Sequence, residues 1–353
     1  AAGAGLYLVG AGSRTAAGIT RLDVRLTGLD YRAAGDRRLA FASADLSARG
    51  TIDLARRSGV LKSFEARLPG LVPVRISGRR GWGPRAAAEL RLESRGLDLP
   101  ALRAVAAPFL PPALAGWDLG GSLDLSLAAR RPAGPDRDWT FSAGLAFAGA
   151  RFNDPSFTIA GEGLDPVLAF EGAGSPARGL TFSAGLDIAH GESLWKAVYV
   201  AWDKHALRLT AGGRYDPAAG AIDGLSARVL LPEIGALDIA GSARLGPVLS
   251  FDLKTAADVS LGPLYSLYSQ AGVAAEARMN LAGRLTAALD VRANGGALSL
   301  GGRVKLADAR LDRPAGGMAL IGISADVPLL YESAPAASGP APASAPAPDR
   351  PLS

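Results

Sequence analysis

The chain has 353 residues, of which 48% are hydrophobic, 6% aromatic and 20% charged, with 45 Gly and 24 Pro, so its apolar surface comes from Leu, Val, Ile and Ala more than from rings. The formal charge is +5, but the basic residues alternate with acidic ones, as in Arg21, Asp23, Arg25 and in Arg91, Glu93. That spread excludes the clustered basic stripe with interleaved aromatics that nucleic acid binding needs, and the absence of cysteine excludes disulfides and thiolate metal sites.

The first twelve residues, Ala1 to Gly12, are small and apolar and are closed by Ser13 and Arg14. They are too few to span a bilayer, which takes about 20 residues. The run reads either as the stub of an upstream anchor or signal segment or as a first strand. From there the pattern has period two. Leu22, Val24 and Leu26 separate from Arg21, Asp23, Arg25 and Thr27, which predicts half-buried strands.

A first break favours helix over Leu99 to Leu110, opening at Pro100 and stopping at Pro111-Pro112. Alternation resumes with Leu123, Leu125 and Leu127 against Ser122, Asp124 and Ser126, then with Phe141, Leu145 and Phe147. Further strands are expected at Leu180–Ala189, Ala206–Gly212, Gly235–Leu245, Val248–Lys254, Leu285–Ala293 and Leu298–Leu306. In the aromatic cluster around Trp195, Tyr199 and Trp202, period two places Trp195 and Tyr199 on one face and Trp202 on the other. A second helix is expected over Pro263 to Ala277, with Leu264, Tyr265, Leu267 and Tyr268 at helical spacing. Asn294-Gly295-Gly296 between two alternating runs is the strongest hairpin signal.

The two helices mark a repeat. An offset of 162 carries Leu97, Leu99, Leu102, Gly121 and Leu123 onto Val259, Leu261, Leu264, Gly283 and Leu285. An offset of 159 then matches 145–152 with 304–311, and an offset of 161 pairs Asp165, Leu168 and Phe170 with Asp326, Leu329 and Tyr331. The expected organisation is an N-terminal β segment over 1–96, a first module over 97–258, a partial second module over 259–332, and an Ala/Pro/Ser-rich tail over 333–353 that cannot bury a core.

Catalytic signals are weak. His190 and His205 sit at strand edges beside polar residues and read as solvated, Asp136 and Asp138 flank Arg137 in a charged loop, and neither a phosphate-binding loop nor a nucleophile elbow occurs. Gly144, Gly149, Gly161, Gly163 and Gly301-Gly302 read as bulges and bends of a curved sheet. No catalytic residue, metal site or cofactor is expected.

The helix followed by Leu119-Gly120-Gly121-Ser122-Leu123-Asp124-Leu125-Ser126-Leu127, a strand ending Ala148-Gly149-Ala150-Arg151-Phe152 and another ending Gly163-Leu164-Asp165-Pro166-Val167-Leu168 resembles the repeated modules of bacterial AsmA/TamB-like proteins. The second copy, 281–291 through 306–311 to 325–329, is similar to them too. The resemblance spans about residues 97 to 330 and implies a repeating β-groove, tethered to the inner membrane through a segment absent from this chain. Such a protein crosses the periplasm and passes phospholipid or another acyl-chain lipid between inner and outer membranes, or assists outer-membrane assembly proteins.

The residues themselves give a mainly β chain: a long curved antiparallel sheet forming an elongated groove with two short helices. Its inner wall is expected at Leu123, Leu125, Leu127, Phe141, Leu145, Phe147, Phe152, Phe157, Ile159, Leu285, Leu289, Val291, Val304 and Leu306. A β-solenoid scaffold or surface adhesin with a closed core and no lipid is the main alternative. A transmembrane barrel, which carries aromatic girdles, is a poorer fit to the low aromatic content, and an enzyme is poorer still.

Overall fold

The computed structural model describes residues 4–12, 16–32, 38–68, 70–83, 86–107, 110, 116–134, 137–175, 178–196, 198–246, 248–269, 279–294, 296–313 and 318–333. Among these residues twenty strands form one open antiparallel sheet, accompanied by two helices. The first segment gives β1 (Ala4–Gly12), β2 (Ala16–Arg32), β3 (Arg38–Asp53), β4 (Ser58–Arg67), β5 (Val74–Gly81) and β6 (Ala88–Asp98). After α1 (Leu99–Ala106) come β7 (Asp118–Arg131), β8 (Trp139–Asn153), β9 (Ile159–Leu164), β10 (Val167–Ser175), β11 (Gly179–Ile188), β12 (Glu192–Trp195), β13 (Val198–Ala201), β14 (Leu207–Asp216), β15 (Ala221–Leu231), β16 (Gly235–Arg244) and β17 (Ser250–Ser260). After α2 (Leu261–Ser269) come β18 (Asn280–Asn294), β19 (Ala297–Arg313) and β20 (Met318–Glu332).

The order is a meander in which each strand returns beside its predecessor, from β1 to β8. At β8 the sheet divides. The first half of β8 pairs with β10 and its last residues with β9. The chain then continues as two parallel tracks: β10–β11–β14 carries the main sheet, while β9–β12–β13 extends one corner. From β14 the simple meander resumes to β20. Strands pack on their ladder neighbours, and the helices on strands beside them.

Both helices lie along the same long rim, because each joins a strand ending there to one starting there. In α1 the Asp98 carboxylate accepts a hydrogen bond from the Ala101 N–H at 2.8 Å and Pro100 occupies the first turn, so an N-cap and a preset φ start the helix. It ends at Ala106, earlier than the expected Leu110, and α2 begins two residues before the expected Pro263. The expected continuation of α2 over 270–277, Asp136, Gly295, Pro111-Pro112 and the tail beyond residue 333 lie outside the described residues.

Against α1 sits the main buried cluster, Leu97, Leu99, Leu123, Ala150 and Leu164, ringed by Leu102, Phe152, Ile188 and Trp202 among others. Ile234, Leu261 and Ala309 are buried along the same rim farther on. The repeat is visible here in backbone detail. Gly121 and Gly283 both sit at ladder irregularities with positive φ, 94° and 120°, and a Cβ on either would come within 2.6–2.7 Å of the facing strand. Gly149 and Asp308 share a left-handed backbone, at φ 57° and 49°.

The register corrects the third offset of the repeat. Leu168 faces Leu145 in the first module and Val327 faces Val304 in the second, while Leu164 faces Ala150 and Ile323 faces Ala309. The offset of 159 therefore runs through β20, and Phe170 corresponds to Leu329, not Tyr331. A slip of two residues leaves every side chain on its own face, so the hydrophobic pattern alone does not reveal it.

Candidate functional site: an uncovered apolar face

Directly opposed residues form one unbroken row from β2 to β20. It runs Leu22, Ala48, Phe64, Ile76, Leu92, Leu127, Ala143, Phe170, Ala184, Ala211, Ala227, Ile239, Thr255, Leu289, Gly302, Leu329. Thr255 is the only polar member. Sixteen strands at about 4.8 Å carry this row over about 70 Å before twist shortens it.

Most of the expected wall residues lie on this face. Leu123 opposes Phe147, Leu125 opposes Leu145, and Phe141 opposes Ala129, while Leu285 opposes Leu306, Val291 opposes Leu300, and Val304 opposes Ala287. Phe152 joins the buried cluster under α1. Ile159 pairs with Trp195 in the corner extension, away from the main row. Phe157 is a correction: it lies in the β8–β9 turn with φ 56° and is 70% exposed, because the Asp154 carboxylate organises that turn and lifts the ring off the sheet.

Beyond the helical rim the face lacks a second layer among the described residues. Leu127 is 40% and Phe141 37% exposed, whereas Leu123, four residues before Leu127 on the same side, is 8% exposed under α1. The opposite face is a ladder of cross-strand ion pairs: Arg25–Asp45 at 2.6 Å, Arg79–Glu89 at 2.9 Å, Arg208–Asp187 at 2.8 Å and Arg292–Asp252 at 3.3 Å. Hydrogen bonds from Arg25 and Arg284 hold the Asp45 and Asp258 carboxyls below their ordinary range. These pairs are exposed and act on register and solubility more than on stability.

Curvature is shared between the faces. On the apolar side a bowl of about 620 Å³ opens between β3 and β8 at the rim opposite the helices. On the charged side a shallow trough of about 1030 Å³ crosses β10 to β18, along the row Glu171, Ser183, Gly212, Ser226, Ala240, Lys254, Asp290. A long twisted sheet is saddle-shaped, so each face is concave along a different direction.

Two sequence expectations change in the corner. Trp195 and Tyr199 do not share a face, because Lys196, at φ 55°, turns the chain into a hairpin in which Leu194 opposes Tyr199 and Trp195 opposes Val198. The Tyr199 hydroxyl donates to Glu192, and the Trp202 indole N–H donates to the Ser193 hydroxyl at 3.1 Å. His190 is exposed beside Asp203, as expected, but His205 is 7% exposed beside the β15–β16 turn. Among the described residues its ring nitrogens have no hydrogen-bond partner, and the Glu233 carboxylate at 3.9 Å is too far to be one. Nothing in the local sequence signals this burial, which comes from the break between β13 and β14.

Among the described residues no group of three or more metal-ligating side chains occurs, and no helix is long and apolar enough to cross a membrane. Comparison with known proteins adds no identity: no family model, no curated protein and no solved structure matches the chain.

Proposed function

We propose that this chain is a non-catalytic lipid-shielding segment of a bacterial envelope bridge. It stands in the periplasm, tethered to the inner membrane. It carries phospholipid or another acyl-chain lipid toward the outer membrane, or serves outer-membrane assembly proteins. One observation carries the reading: a single-layered sheet presents an apolar row across sixteen strands with no second layer over most of it among the described residues. An acyl chain of about 16 carbons exposes on the order of 12 kcal/mol of unfavourable hydration in water, at about 0.8 kcal/mol per CH₂. A continuous apolar surface removes most of that barrier without any polar specificity. The likeness of 97–330 to AsmA/TamB-like modules supports the same direction, and the open sheet favours it over a scaffold whose apolar face would be sealed in a closed core.

The test is lipid carriage. Mass spectrometry of the purified chain is expected to find co-purified phospholipid, and vesicles carrying a fluorescent phospholipid are expected to lose it to the protein. Leu127→Glu and Phe141→Glu are the variants of choice, being exposed on the face. Leu125 and Phe147 pack on the buried cluster, so charging them also costs stability. Reproducible absence of lipid from the native chain, or normal loading of both variants, refutes the proposal.

A further inference from the structure

The bowl at the rim opposite the helices differs from the rest of the apolar face in carrying cations. Its outer row runs Ile52, Gly59, Arg80, Ala88, Arg131 across β3 to β7, all on the apolar side. The row behind it runs Gly50, Leu61, Gly78, Leu90, Ala129. Glycine leaves the floor low: a Cβ at Gly50 would lie 2.7 Å from the Val60 carbonyl and one at Gly78 2.5 Å from the Glu89 carbonyl. Ile52, Leu90 and Trp82 stand around it, 38%, 50% and 47% exposed.

Arg80 and Arg131 flank Ala88 in the same row, two strand spacings or about 10 Å apart at the backbone. The Arg131 guanidinium is held over the Trp139 ring, 5.5 Å from its centroid, and donates to the Ala86 carbonyl at 3.0 Å. Arg80 is exposed and forms no ion pair among the described residues, whereas Arg79 beside it pairs with Glu89 across the other face. Among the described residues Glu89 is the one acidic residue bordering the bowl, and Arg79 and Arg91 engage it at 2.9 and 3.0 Å. Among the described residues the bowl is therefore apolar in its floor, cationic at its lip and without an available carboxylate. A cavity of about 620 Å³ is ligand-sized.

We infer that this bowl seats one end of an anionic amphiphile, with its acyl chain on Leu61, Leu90 and Ile52 and its phosphate or carboxylate between Arg80 and Arg131. Guanidinium forks match either anion in bidentate geometry, where a lysine would offer a point charge. Tryptophans at the lip suit a boundary where one side is apolar and the other wet. The inference rests on the reading of the apolar face as a lipid surface and adds to it a headgroup preference and a place of entry.

The experiment is loading of the full chain from vesicles of phosphatidylglycerol or of phosphatidylcholine with the same acyl chains, read by native mass spectrometry, with inorganic phosphate as a third arm. Phosphatidylglycerol is expected to load about tenfold better, Arg80→Gln to abolish that preference, and Arg80→Lys to restore part of it. The melting temperature is expected to stay unchanged, because Arg80 is exposed. Equal loading of both lipids, insensitive to Arg80→Gln, overturns the headgroup site while leaving the lipid surface standing. Failure of both lipids to load overturns the lipid reading as a whole. Binding of inorganic phosphate that is lost in Arg80→Gln, together with equal loading of both lipids, makes the site one for a free anion and overturns the amphiphile.

Discussion

Leu123 and Leu127 lie on one strand and one face, two pleats apart, and the fold assigns them opposite energetics. Leu123 is 8% exposed, packed with Leu97, Leu99, Ala150 and Leu164 beneath α1, while Leu127 is 40% exposed. Truncating a well-buried leucine costs its transfer free energy plus a cavity term, about 3 kcal/mol for Leu123→Ala. Leu127 has only about three-fifths of its surface to lose and leaves no enclosed cavity, so Leu127→Ala is expected to cost about 1 kcal/mol. Urea unfolding followed by circular dichroism gives the difference, with hydrogen exchange of β7 as a local readout should unfolding depart from two states. Equal costs, or a larger cost at Leu127, would mean that something covers the middle of the face and would remove the surface on which the proposed function depends.

The Asp154 carboxyl is held at about 2 by the Ile159 N–H, by the Ser156 hydroxyl and by Thr158. A depressed carboxyl stabilises the folded turn above its ordinary titration range, near pH 4, and loses that contribution as pH falls toward 2. Protection of the Ile159 amide relative to its intrinsic exchange rate is therefore expected to fall over that window, and Asp154→Asn to flatten the profile. Gly121→Ala places a Cβ at a φ of 94° and 2.6 Å from the Gly149 carbonyl, for an expected loss of about 2–3 kcal/mol measured by thermal melting. His205→Leu removes two buried nitrogens that make no hydrogen bond among the described residues and is expected to leave the melting temperature equal or higher; a clear drop would show that a partner for the ring exists.

Much of this architecture is legible in the chain because period two is a local signal: Leu123, Leu125 and Leu127 against Asp124 and Ser126 specify a face whatever lies beside them. The limits of that signal are equally physical. A two-residue slip preserves the pattern, so alternation alone pairs Phe170 with Tyr331 as readily as with Leu329. The hairpin at Lys196 hides inside an apolar run, since its turn depends on one left-handed residue and not on a glycine or proline. The glycines at 50, 59 and 78 are easily taken for bends, and only the register shows that they sit in adjacent rows beneath Arg80. His205 is buried by a corner that no stretch of sequence contains.

A sheet whose strands touch only their ladder neighbours has the energetics of a linear array. Most strands are secured by two neighbours, but among the described residues β1, β13 and β20 have one each, so opening should begin at such an edge and travel inward strand by strand, with the helix-clamped strands β6 to β8 acting as stops. Elasticity follows from the same arrangement: pulled along the row of strands, the chain would yield in small successive steps, each releasing a hairpin, instead of failing at a single load. For a body spanning a gap of variable width, that graded compliance would be a mechanical property in its own right.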